Sequence, residues 1–107
     1  MVANLINKNG RAVANQFVIT EGNGDIAFQS YNSRVCEIRK GGLGFERVVV
    51  LGKDYNYSQT TTKHLYSFLS QNGLEILANK KAIDEALKRG HARYNEAVAV
   101  WYDETMR

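Results

Sequence analysis

Apolar and polar residues alternate through the first half of the chain and recur at helical spacing in the second. In Ala12-Val13-Ala14-Asn15-Gln16-Phe17-Val18-Ile19-Thr20, the residues Val13, Phe17 and Ile19 share a parity, so a strand places them on one face and Gln16, Val18 and Thr20 on the other. Glu21-Gly22-Asn23-Gly24-Asp25 follows, rich in residues that tolerate positive φ, and then Ile26-Ala27-Phe28-Gln29-Ser30 with Ile26 and Phe28 aligned. Two alternating runs around such a turn predict a hairpin. Tyr31-Asn32-Ser33 forms a second turn, and Arg34–Arg39 reads as a third strand with weaker alternation. Lys40-Gly41-Gly42-Leu43-Gly44 breaks that strand. Phe45–Leu51 reads as a fourth, and its run of apolar residues implies burial on both faces. Residues 2–7 can add a short edge strand.

After Gly52 the period changes. Ser58 can cap a helix whose apolar stripe is Leu65, Phe68 and Leu69, and Gln71-Asn72-Gly73 ends it. Lys80–Arg89 predicts a second helix, with Asn79 at its start, Gly90 at its end and Ala82, Ile83, Ala86 and Leu87 on its apolar side. Asp84 and Glu85 stand four residues before Lys88 and Arg89, the spacing of helical ion pairs. Residues 95–102 are rich in β-branched and aromatic side chains and favour a final strand, although Tyr94, Ala97, Val98 and Trp101 also share a helical face. The expected fold is one α+β domain over residues 1–107. Four to five antiparallel strands at about 12–51 carry two helices at about 58–89 on one face, followed by that last strand.

Composition narrows the function more than it names it. The net charge of +3 is mild, and a pI near 9.1 is compatible with nucleic acid without requiring it. A single cysteine, Cys36, rules out an intrachain disulfide and fits a reducing compartment. The first residues have neither the basic nor the apolar region of a signal peptide, and no apolar run is long enough to span a membrane. His64, His91 and Cys36 are not at metal-ligand spacing, so neither a metal nor another cofactor is expected. Gly41-Gly42-Leu43-Gly44 precedes a strand, whereas phosphate loops open helices, so it reads as a hairpin loop. Cys36 on a strand reads as a small core residue rather than a nucleophile. No catalytic residue is assigned.

Two polar segments remain as candidate binding surfaces. Asp54-Tyr55-Asn56-Tyr57-Ser58-Gln59-Thr60-Thr61-Thr62-Lys63-His64 gathers hydroxyls, two tyrosines, a lysine and a histidine at a predicted helix N-terminus. Free N–H groups and a partial positive charge lie there, but the same residues also suit ordinary capping. Phe28-Gln29-Ser30-Tyr31-Asn32-Ser33 adds Tyr31 at a hairpin corner. The binding candidates in these segments are Tyr31, Tyr55, Tyr57, Lys63 and His64. Arg39, Lys40 and Arg47 could meet across the 40–45 hairpin as a small basic patch.

Asn15-Gln16-Phe17, Phe28-Gln29-Ser30-Tyr31-Asn32-Ser33 and the segment from Asp54 to Lys63 resemble the pattern of a family of small uncharacterised proteins found mainly in bacteriophages and mobile elements. The resemblance covers roughly residues 8–70, and it departs where Tyr55-Asn56-Tyr57 precedes Ser58. It implies a phage or mobile-element origin and a life in the bacterial cytoplasm, and it carries no known activity. The expectation is therefore a non-enzymatic protein that binds a host or phage protein, an inhibitor of a bacterial defence system being one such role. The alternative is a nucleic-acid-binding accessory protein.

Overall fold

Alternation in the first half of the chain produces five antiparallel strands in the computed structural model, which describes residues 1–40, 47–88 and 98–103. They are β1 (Val2–Ile6), β2 (Ala12–Thr20), β3 (Ile26–Ser30), β4 (Ser33–Lys40) and β5 (Arg47–Gly52), each paired with the next in chain order. Helix α1 (Gln59–Gln71), a 3₁₀ turn (Glu75–Leu77) and helix α2 (Lys80–Lys88) follow. The chain then returns as β6 (Val98–Asp103) beside β5. This last strand runs parallel to β5, because a crossover through helices brings a strand back in the direction it left. The architecture is α+β, with both helices on one face of the sheet. The glycine loop 41–44, Arg89, Gly90 and residues 95–97 lie outside the described residues.

Register decides which face takes the helices. Val18, Phe28, Cys36 and Leu51 are successive cross-strand partners. Phe28, Cys36 and Leu51 form one core with Leu5, Ile38, Val49, the α1 stripe Leu65, Phe68 and Leu69, and Ile83 and Ala86 of α2. Phe28 stacks on Phe68 with ring centroids 5.6 Å apart. Phe17 and Ile19, of opposite parity to Val18, therefore lie half-buried on the outer face. That face also carries Glu37 between Arg34 (3.1 Å) and Arg39 (2.7 Å).

The weak alternation of β4 has a structural cause. Between Phe28↔Cys36 and Gln29↔Arg34 the ladder slips by one residue, leaving Val35 as a bulge. Val35 and Cys36 are both fully buried, so the period of two breaks there. In β5, Val48 to Leu51 are all buried, as a strand covered on both faces requires.

Helix α1 is held at both ends. The Ser58 hydroxyl accepts the Thr61 N–H at 3.1 Å. At the other end Leu74 N–H reaches Leu69 O (2.9 Å) and Gly73 N–H reaches Ser70 O (3.2 Å), a Schellman motif with Gly73 at φ +77. Leu74 and Leu69 supply its apolar contact, both being in the core. Arg47 donates to Asn72 O at 2.6 Å, tying the helix end to the start of β5. Asn79 caps α2 through the Ala82 N–H (2.8 Å), and among the described residues the helical ion pair is Lys80–Asp84.

Phe68→Ala is expected to cost about 3–5 kcal/mol in urea unfolding, since it removes a fully buried ring and its stacked partner contact. Gly73→Ala meets no atom closer than Arg47 at 3.9 Å, so its cost is the left-handed backbone alone. About 1 kcal/mol is expected, seen as a lower urea midpoint at unchanged slope.

Candidate functional site

Two departures from regular strand geometry meet at one corner of the sheet. β2 pairs Ala12 with Ile6 and Phe17 with Asn4, so five steps of β2 lie opposite two of β1. The excess bulges at residues 13–16, where Asn4 Nδ2 donates to Val13 O (2.9 Å) and Asn15 takes φ +63. In the β3–β4 turn Tyr31 takes φ +53, a value that favours glycine. Among the described residues these are the two non-glycine positions with positive φ, and Tyr31 N–H donates to Asn15 O at 2.8 Å. Asparagine adopts this region readily, whereas Tyr31 there costs about 1 kcal/mol or more, and such strain clusters at functional sites.

The bulge and the turn open a cleft of about 670 Å³ against the N-terminus of α1. Gln16, Ser30 and Val35 line it from the sheet, and Thr60, Thr61 and His64 from the helix. Asp54 and the exposed rings of Tyr31 and Tyr57 complete it. Ser58 and Thr61 are occupied in capping, their hydroxyls 3.1 Å apart. The N–H groups of Gln59 and Thr60, in the first turn, have no protein acceptor among the described residues. Gln16 is only 4% exposed, and its Oε1 has no hydrogen-bond partner among the described residues. A buried acceptor left that way costs about 1–3 kcal/mol. His64 is half-buried, and burial and the neighbouring Lys63 charge pull its pKa below the usual 6.5. It therefore takes up a proton less readily than a free imidazole.

The residues singled out from the sequence fall into three places. Tyr31, Tyr57 and His64 share this cleft. Tyr55 and Lys63 line a second one of about 690 Å³ on the other side of the α1 N-terminus, with Tyr66, Lys80 and Asp84. Burial and the Asp84 carboxylate push the Tyr66 phenol up, while Lys80 opposes them. Arg39, Lys40 and Arg47 lie around a small hollow at the opposite end of α1, beside Asn72. Lys40 and Arg47 are cross-strand partners, and Arg39 has the other parity. Arg39 is paired with Glu37, and Arg47 with Asn72 O. Gln16, Ser30 and Ser33 belong to the first cleft although the sequence singled out only Tyr31 from their segments. The pairing Gln16↔Ser30 brings them together, and only the ladder register reveals it. Cys36 is fully buried and burial pushes its thiol up, so it stays protonated. No described helix is long and apolar enough to cross a membrane.

Comparison with protein families matches residues 2–85 to a family of unknown function, DUF8033. That span includes every residue lining the cleft. No curated protein and no solved structure matches the chain.

The His64 imidazole is expected to titrate below 6.5 by NMR, and Lys63→Gln to bring it part of the way back. Between pH 6.5 and the lower folded pKa the unfolded chain binds more protons, so stability falls as pH drops through that window. In His64→Gln this part of the pH dependence should vanish.

Proposed function

The chain belongs to this family of unknown function, so its role rests on its own residues, and we propose that it is a non-enzymatic binding protein of a phage or mobile element. Its partner is a host or phage protein in the bacterial cytoplasm, and inhibition of a bacterial defence system is a role of this kind. One observation carries the reading: three polar segments far apart in sequence converge on one cleft whose rim is Tyr31 and Tyr57. Tyr31 is 63% and Tyr57 81% exposed. Tyrosine is enriched at protein interfaces because it offers a large rigid ring with a polar tip. Strain at Tyr31 fits a surface kept for recognition rather than for stability.

Two observations favour binding over catalysis. The thiol of Cys36 is sealed in the core. Among the described residues neither ring nitrogen of His64 has a protein partner, so no base is oriented by a third group. The nucleic-acid alternative draws on Arg39, Lys40 and Arg47, and both of these guanidinium groups are engaged by protein acceptors.

The test is co-purification from a bacterial host, comparing wild type with Tyr31→Gly and Tyr57→Ala. Glycine suits φ +53, so Tyr31→Gly is expected to leave thermal stability unchanged or raised. Each substitution is expected to weaken the captured partner by about 2 kcal/mol, roughly 30-fold. A partner retained equally by both variants would sink the reading. So would salt-dependent retention on oligonucleotides without a protein partner.

A further inference from the structure

We propose that the floor of the cleft receives a neutral carboxamide, the side chain of an asparagine or glutamine on the partner, which pairs with the Gln16 amide. This rests on the reading that the partner is a protein. Among the described residues, Gln16 Oε1 is the one buried side-chain nitrogen or oxygen without a hydrogen-bond partner. The side-chain amides of Asn4, Gln29, Gln71 and Asn72, which are less buried, donate to backbone carbonyls at 2.6–2.9 Å. Gln16 is more deeply buried than any of them, and its Oε1 has no partner among the described residues. A buried acceptor that the fold leaves without a donor is open to a donor from outside the chain. The bulge of β2 and the left-handed Asn15 beside it set where Gln16 stands in the cleft.

The surroundings select the chemistry of the group that enters. A cation would lie at the positive end of α1, where the Thr60 N–H is free among the described residues. An anion would meet that N–H favourably but would face the Gln16 oxygen and the Asp54 carboxylate, both acceptors. An apolar group would leave Gln16 Oε1 unpaired. A carboxamide has both functions. Its N–H donates to Gln16, and its carbonyl accepts from a first-turn N–H or the Thr60 hydroxyl. The rings of Tyr31 and Tyr57 at the rim then flank the chain that carries it.

The experiment uses isotope-labelled full-length protein and three probes: acetyl-glutamine methylamide, acetyl-norleucine methylamide and inorganic phosphate. The expected result is that the glutamine probe alone shifts both the Gln16 side-chain NH₂ and the Thr60 backbone amide. Gln16→Leu, of similar volume, is expected to weaken that probe about tenfold while leaving the melting temperature unchanged or higher, since an unpaired buried acceptor is removed. Equal shifts from the norleucine probe, a response to phosphate at Thr60 without one at Gln16, or no shift at all would overturn the proposal. A marked drop in melting temperature for Gln16→Leu would also overturn it, by showing that the amide serves the fold. If the probes fail while capture of the partner still depends on Tyr31 and Tyr57, the binding reading stands and only the carboxamide assignment falls.

Discussion

Phe28 sits in the middle of β3 and stacks on Phe68, one turn before the C-terminal end of α1. This contact locates the helix across the sheet, and most of the architecture depends on where the helix lies. It makes the row Val18, Phe28, Cys36 and Leu51 the inner face and relegates Phe17 and Ile19 to the outer one. With the ring fixed and the helix closed by Ser58 at one end and Gly73 at the other, α1 has little freedom to slide. Its N-terminus is then set against the corner where β2 bulges and β3 turns into β4.

Strain is distributed unevenly over this frame. The hairpin turn before β3 and the C-terminus of α1 use glycine where positive φ is required, at Gly24 and Gly73. At the cleft the same backbone region is held by Asn15, which tolerates it, and by Tyr31, whose side chain makes it costlier. A glycine at position 31 would relax the turn and delete a ring that stands 63% exposed. An unpaired buried oxygen on Gln16 lies at the same corner. Local consistency between sequence and fold fails here more than elsewhere in the described residues, the pattern expected where a surface serves recognition.

Electrostatics runs the other way. A positive net charge invites a search for a basic binding face, yet the arginines with described partners are tied down. Arg34 and Arg39 flank Glu37 on the outer sheet face, and Arg47 closes the end of α1. The second cleft, with Lys63, Lys80, Tyr55 and Tyr66, sits on the far side of Ser58, so the two clefts share one helix N-terminus. Lys80 there is paired with Asp84.

Local signals in the chain were enough for the types and order of the first five strands and the two α-helices. Strand alternation, the Asn23-Gly24 turn, the Ser58 and Asn79 caps and the Gln71-Asn72-Gly73 stop all act through neighbours in sequence, so they are legible without a fold. The inner face of β2, the bulge at Val35 and the parallel pairing of β6 were not legible, because each depends on which strand lies alongside. The cleft divides in the same way. Tyr31, Tyr57 and His64 stood out as unusual polar residues, whereas Gln16, Ser30 and Ser33 lay in noted segments without standing out themselves. Only the register that sets Gln16 opposite Ser30, and the stacking that brings α1 over them, turned those separate segments into one site. Burial is a property of the assembled sheet and helix, so the unpaired oxygen of Gln16 exists as a feature only once they have packed.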